Sequence, residues 1–232
     1  MRSVLFNIGF YIWTFLFSII LQFTSISTEL SLKASRLWAV GVIDYLAKYI
    51  AGINYIVSGT ENIPPANTGF VVASKHQSAW ETMYYFLPFP RAAFAYKKEL
   101  AYIPLWGWVH YYNQNIKIDR QAGASALKSL LKQAKQRAAE GRPIIIFPEG
   151  TRTKPAQTGH SYHSSIYALY NQGLTVVPVA LNSGVFWPKN SLKKLKGTLK
   201  VQYLPEMPKG LKKDEFMKEL ESRIESASLA ML

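Results

Sequence analysis

Val4 to Phe23 runs for twenty residues without a charged side chain. A helix of that length reaches about 30 Å, the thickness of a hydrocarbon core. Wound at about 100° per residue, Asn7, Tyr11, Thr14, Ser18 and Gln22 fall on one side, a thin polar stripe that a helix facing only lipid would not need. A secretory signal is a poorer reading, because only Arg2 precedes the apolar run and Ser25-Ile26-Ser27 is a weak cleavage site. The second apolar stretch, Leu37 to Ile53, carries Asp44 and Lys48 four residues apart on one face, Gly41 and Gly52 nearby, and Trp38, Tyr45 and Tyr49 as interface anchors. A charged pair at mid-helix is costly in a full span. Residues 1–54 therefore predict a two-helix membrane anchor that lies at or dips into the surface. A transmembrane hairpin, or a buried core helix for the second stretch, are the alternatives.

After residue 54 the pattern changes to short β-branched runs alternating with longer helical ones, and residues 55–232 predict an α/β domain. Strands are expected at Tyr55 to Ser58, Phe70 to Ser74, Ala92 to Tyr96, Ile116 to Ile118, Ile144 to Phe147, Thr175 to Ala180 and Leu199 to Leu204. Helices are expected near Ala79 to Phe86, Ala101 to Tyr112, Gln121 to Glu140, Ser164 to Asn171 and Lys213 to Leu229. Ile144 to Phe147 and Thr175 to Ala180 are continuous apolar runs, as in central strands covered on both faces. The expected architecture is a mixed, mostly parallel sheet covered by helices. Glu61 to Gly69, with Pro64-Pro65, reads as a loop, and no internal repeat or low-complexity tract is visible.

Composition narrows the chemistry. Lys and Arg number 27 against 14 Asp and Glu, a formal charge of +13 that draws anionic partners: nucleic acid, lipid headgroups or an acidic carrier. The Val4 to Phe23 run argues for the membrane and against a soluble nucleic-acid binder. With no cysteine in the chain, disulfides, thiolate nucleophiles and Cys-type metal sites are excluded.

Phe70 to Ser74 leads into Lys75-His76-Gln77-Ser78-Ala79-Trp80-Glu81, a histidine just past a strand's C-terminal end, where open α/β sheets place their sites. On a regular helix positions five apart diverge by about 140°, so His76 and Glu81 meet only if His76 lies in the loop and folds back. Glu81 can instead complete a capping box with Ser78 as N-cap, leaving His76 an ordinary loop residue; spacing does not choose between the two. As a dyad, the carboxylate would fix the imidazole tautomer and leave the other nitrogen as a base for a substrate hydroxyl. Phe147-Pro148-Glu149-Gly150-Thr151-Arg152 is a strand end, a glycine turn and a cation whose planar fork suits phosphate. Taken alone it reads as a strand-terminating turn. Asn115 to Arg120 is a further strand ending in a charged pair.

Together these blocks resemble the glycerophospholipid acyltransferase family over roughly Ser58 to Ser183. His76 and Glu81 match its His-x4-acidic block, with glutamate where aspartate is usual; Ile116 to Arg120, Phe147 to Arg152 and Val177 to Ala180 match three more. Tyr96-Lys97-Lys98-Glu99-Leu100 and Ile103-Pro104 match a lysine element. Downstream, where the family usually shows Lys-x-Gly, this chain reads His163-Ser164-Ser165. The resemblance implies His76 and Glu81 as catalytic residues, with Lys97, Arg120, Glu149, Gly150, Thr151 and Arg152 binding the acceptor and Lys98 a weaker candidate. It implies acyl transfer from acyl carrier protein or acyl-CoA to the sn-2 hydroxyl of 1-acylglycerol-3-phosphate, giving phosphatidic acid, without a cofactor. It also implies a bacterial inner-membrane location with the catalytic domain on the cytoplasmic side. Another lysolipid acceptor, such as a lyso-ornithine lipid, and a non-catalytic membrane-associated binding protein are the alternatives.

Other conspicuous residues take plainer readings. His110 and His160 read as packing or surface residues, and His160 and His163 lack the acidic partner that a metal site would need. Tyr102, Trp106, Trp108, Tyr111 and Tyr112 suit core, membrane interface or the wall of an acyl-chain tunnel. The basic stretches Lys189 to Lys200 and Lys209 to Lys218 read as solvated faces open to anionic lipid or an acidic carrier.

Overall fold

A computed structural model describes residues 1–24, 26–103, 106–157 and 161–232. Ser25, Pro104, His160 and the Trp106 side chain, all cited above, lie outside the described residues.

The apolar run forms α1 (Arg2–Thr24), and the second stretch begins earlier than expected, as α2 (Thr28–Val40), continuing as a π-helix over Gly41–Ala51. Glu29, Lys33 and Arg36 hide the start of α2 from a hydropathy reading, yet Ser31, Leu32, Ala34 and Ser35 are buried on its inner face. The two helices meet closely. The Trp13 indole donates to Trp38 O and the Trp38 indole to Thr14 Oγ1. A Cβ on Gly41 would lie 2.3 Å from the Trp13 ring, so only glycine fits there.

Most of the polar stripe faces protein. Asn7 donates to Leu192 O, Thr14 accepts from Trp38, and Ser18 is buried, whereas Tyr11 departs from the expectation and points outward. Val4, Leu5, Ile8, Ile12, Phe15, Leu16 and Phe23 form an exposed apolar side of α1. This helix is long and apolar enough to cross a membrane.

Among the described residues seven strands follow, β1 (Ile53–Ser58), β2 (Val71–Ser74), β3 (Ala93–Lys97), β4 (Ile116–Ile118), β5 (Ile144–Ile146), β6 (Val176–Leu181) and β7 (Gly197–Tyr203), in the order β1-β7-β6-β2-β5-β3-β4. All neighbours are parallel except β6 and β7. The sheet is thus mixed and mostly parallel, as expected. The continuous apolar runs are β5 and β6, which flank β2 at the centre. Alternation divides them between two cores: Val72, Ile145 and Val177 face one side, and Val71, Ile144 and Val176 the other.

The helices are α3 (Trp80–Tyr84), α4 (Trp106–Tyr112), α5 (Gly123–Ala139), α6 (Ser165–Tyr170), α7 (Ser183–Phe186) and α8 (Lys213–Leu229). The helix expected over Ala101 to Tyr112 is split into a 3-10 turn, Lys98–Tyr102, and α4. Ile103 is extended, as a residue preceding proline tends to be. The short α7 carried no sequence signal. One core contains Phe6 and Phe17 of α1, Trp38 and Ala39 of α2, Val42 and Ala47 of the π-helix, and Val72, Ile145 and Val177 of the sheet. The division expected at residue 54 does not separate two cores.

Candidate active site

The site grows from the end of β2. Ser74 closes the strand, and Lys75-His76-Gln77 folds back over the first turn of α3. Glu81, fully buried, collects four donors: His76 Nδ1 at 2.9 Å and the Gln77 and Ser78 backbone N–H groups at 2.7 Å on Oε1, and the Ser183 hydroxyl at 2.7 Å on Oε2. Ser78 Oγ accepts from Trp80 N at 3.1 Å. Only half of the expected capping box forms, the Ser78 N–H reaching Glu81 Oε1 while Ser78 Oγ takes the Trp80 rather than the Glu81 N–H, and it coexists with the His76–Glu81 contact. Oε1 already accepts from two backbone N–H groups, so the imidazole donates to it from Nδ1, and Nε2 is the ring nitrogen that Glu81 does not engage.

The 147–153 turn pins His76 from its other side. The imidazole stacks on Phe147 with centroids 4.0 Å apart. The His76 N–H donates to Glu149 Oε1 at 2.8 Å, and Thr153 N donates to His76 O at 2.8 Å. Glu149 itself is held by Lys75, whose ammonium lies 3.3 Å from Oε2 and 2.6 Å from Glu225 Oε1 on α8. The Tyr162 hydroxyl donates to the same Glu225 oxygen at 2.8 Å.

His76 lines a cavity of about 760 Å³ whose walls divide chemically. Leu21, Trp38, Phe86, Phe94, Val109 and Leu130 are apolar lining residues; Lys97, Arg120 and Arg152 make a cationic part, with Thr151 and His163 also in the lining. Gly150 lies at the cationic part with φ +66°, and a Cβ there would meet His163 Nε2 at 2.5 Å and Arg120 Nη2 at 2.9 Å. No carboxylate among the described residues pairs with Lys97, Arg120 or Arg152, whereas Lys98 pairs with Asp119 at 2.6 Å.

Of the residues singled out in the sequence, His76, Lys97, Arg120, Gly150, Thr151 and Arg152 line one cavity, with Glu81 directly behind His76. Glu149, expected to bind the acceptor, is buried and not among the residues that line this cavity, with Lys75 at Oε2 and the His76 N–H at Oε1. The sequence reading missed Ser183 and Glu225, 102 and 150 residues from the partners they hold, which no local spacing reveals. His110, read as a packing residue, is a cavity wall residue stacked on Tyr96 at 4.1 Å, with Nδ1 3.0 Å from the Asn115 amide. Burial pushes its pKa down to about 4. Of the aromatic cluster, Tyr102, Trp108 and Tyr111 are exposed.

The comparisons agree with this geometry. The family model described as Acyltransferase matches residues 54–182, more than half of the chain, and the protein belongs to that family. A 1-acyl-sn-glycerol-3-phosphate acyltransferase of Pseudomonas aeruginosa is 40% identical over 163 residues, 70% of this chain and 63% of that protein. The enzyme of the same name from Borreliella burgdorferi is 32% identical over 148 residues, 62% of this chain and 58% of that one. The chain thus spans less than two thirds of the curated relatives it matches. The crystal structure of the 1-acyl-sn-glycerophosphate acyltransferase of Thermotoga maritima superposes with a TM-score of 0.80 at 22% identity, covering 100% of this chain and 98% of that one, which places the fold.

Proposed function

We propose that this protein transfers a fatty acyl group from an acyl thioester to the sn-2 hydroxyl of 1-acylglycerol-3-phosphate. The observation that carries the reading is the His76–Glu81 dyad on a cavity that joins an apolar wall to three cations without counter-charges. Glu81 holds the imidazole with Nε2 as the base. Nε2 takes the hydroxyl proton as the acceptor oxygen attacks the thioester carbonyl, and Glu81 stabilises the imidazolium that results. The tetrahedral adduct then expels the thiolate, which recovers the proton from His76, leaving an ester, a free thiol and the starting enzyme. No acyl-enzyme and no metal or cofactor enters these steps.

Lys97, Arg120 and Arg152 are assigned to the acceptor phosphate, with Gly150 and Thr151 shaping that wall. Lys75, Glu149 and Thr153 fix the His76 backbone. The donor is acyl carrier protein or acyl-CoA; either is anionic and suited to a chain of charge +13. The exposed side of α1 is placed in lipid, with the catalytic domain on the cytoplasmic face of a bacterial inner membrane. The unpaired cations favour a phosphate-bearing acceptor over a lyso-ornithine lipid.

The test is a donor and acceptor panel read by lipid mass, with wild type and His76→Ala purified alike. Phosphatidic acid from wild type and none from His76→Ala is expected. Normal turnover by His76→Ala sinks the mechanism, equal use of phosphate-free acceptors removes the role of Arg152, and no acyl product from wild type with any donor leaves a binding protein.

A further inference from the structure

His163 is a cavity side chain that the chemistry above leaves unused. Its backbone N–H donates to Pro148 O at 2.8 Å, drawing the start of α6 against the 148–152 turn. Its ring and the Arg120 guanidinium flank the same face of Gly150, the contact that only a glycine at φ +66° leaves room for. Lys97 and Arg152 line the same cavity, as does His76. The acids on the elements around it are engaged elsewhere: Asp119 with Lys98, Glu149 with Lys75 and the His76 N–H, Glu81 with the His76 ring. The imidazole has no hydrogen-bond partner among the described residues.

A histidine in that setting resists protonation. Burial, then the charges of Arg120 and Lys97, hold its pKa below the ordinary histidine value. An entering phosphate monoester brings close to two negative charges at pH 7 and reverses the sign of the field at the ring. A singly charged headgroup reverses it less.

We propose that His163 is a fourth, proton-gated donor to the acceptor phosphate: neutral in the free protein, it takes up a proton when a phosphate monoester binds and donates to one of its oxygens. The proton comes from solvent, no covalent bond changes, and the gain is selectivity for a monoester over a diester. This rests on the assignment of Lys97, Arg120 and Arg152 to the phosphate.

The experiment is calorimetric binding at pH 7.5 to the full chain in detergent micelles, in two buffers of different ionisation enthalpy, so that protons taken up per ligand are counted. The probe is 1-acyl-2-deoxyglycerol-3-phosphate, which lacks the reacting hydroxyl; a lysolipid with a phosphodiester headgroup is the comparison. Wild type should take up a measurable fraction of a proton with the monoester and clearly less with the diester. His163→Gln should bind the monoester roughly tenfold more weakly, with uptake lost. His163→Lys should bind well without uptake, which keeps the test decisive if the Gln variant folds poorly. Any proton released by the phosphate itself appears equally in the variants. Tight binding by wild type without uptake, or uptake unchanged in His163→Gln, overturns this proposal alone. Failure of wild type to bind the monoester overturns the phosphate assignment with it.

Discussion

Glu81→Gln separates the two tasks proposed for the Glu81 carboxylate, holding the donors around it and supplying charge to the His76 ring. Oε1 accepts from His76 Nδ1, Gln77 N and Ser78 N, while Oε2 faces the Ser183 hydroxyl. A glutamine fits this pattern in one orientation: its carbonyl takes the three N–H donors and its NH₂ donates to Ser183, whose hydroxyl turns to accept. The opposite flip would set an NH₂ against three N–H groups. The cap, the tautomer and the direction of Nε2 should therefore survive, and only the charge is lost. At an effective dielectric of about 20, a unit charge about 4 Å from the imidazolium is worth about 4 kcal/mol, or roughly a thousandfold in rate. The expected result is a kcat lower by roughly 10³ with acceptor KM within about threefold, because Glu81 touches no substrate. Thermal stability should change little. Glu81→Ala should also destabilise the fold, since each buried donor left unsatisfied costs about 1–3 kcal/mol. Steady-state rates by lipid mass, beside thermal melts of both variants, check this. A Glu81→Gln enzyme within fivefold of wild-type kcat would refute the charge argument and leave Glu81 a cap alone.

Two further outcomes follow from buried groups. Lys75→Met strips the cation from between Glu149 and Glu225 and should cost about 3–5 kcal/mol of stability, read by denaturant unfolding; adding Glu149→Gln should recover part of it, and an additive double variant would argue against the pairing. His110 has its pKa lowered to about 4 from an ordinary 6.5, so the unfolded chain binds the extra proton first and stability falls as pH drops from about 6.5 to 4, by about 3 kcal/mol in all. His110→Phe, which can keep the stack on Tyr96, should flatten that part of the stability-pH curve, and an unchanged curve would place the acid sensitivity elsewhere.

What the sequence made legible follows from the range of each interaction. β5 and β6 were readable because a strand buried on both faces must be apolar throughout. The ends of the Lys213–Leu229 helix were readable because Asp214 and Glu215 open it and an amphipathic pattern fills it. The dyad was readable only as one of two alternatives, since Glu81 stands five residues past His76 and three past Ser78, and Oε1 accepts from both the His76 ring and the Ser78 N–H. The direction of Glu149 was not legible, because the charged residue of a glycine turn can face the cavity or the core. What turns it inward is Lys75, and Lys75 is stabilised by Glu225 on the last helix. Interactions closed only by the tertiary fold leave no trace in spacing.

The same reasoning bears on the N-terminal helices. Read as an anchor, they would only tether an enzyme that is complete without them. Yet Leu21 of α1 and Ser35 and Trp38 of α2 line the cavity that holds His76, and Phe6, Phe17 and Trp38 share one core with the central strands. If the outer side of α1 lies in lipid, the apolar wall of the cavity is built on the inner side of the same helix, one helix diameter of about 10 Å away. An acyl chain would then pass from bilayer to cavity between apolar surfaces without crossing water. On this argument the helices form part of the site, and their removal should abolish transfer even from a donor and acceptor held together in detergent.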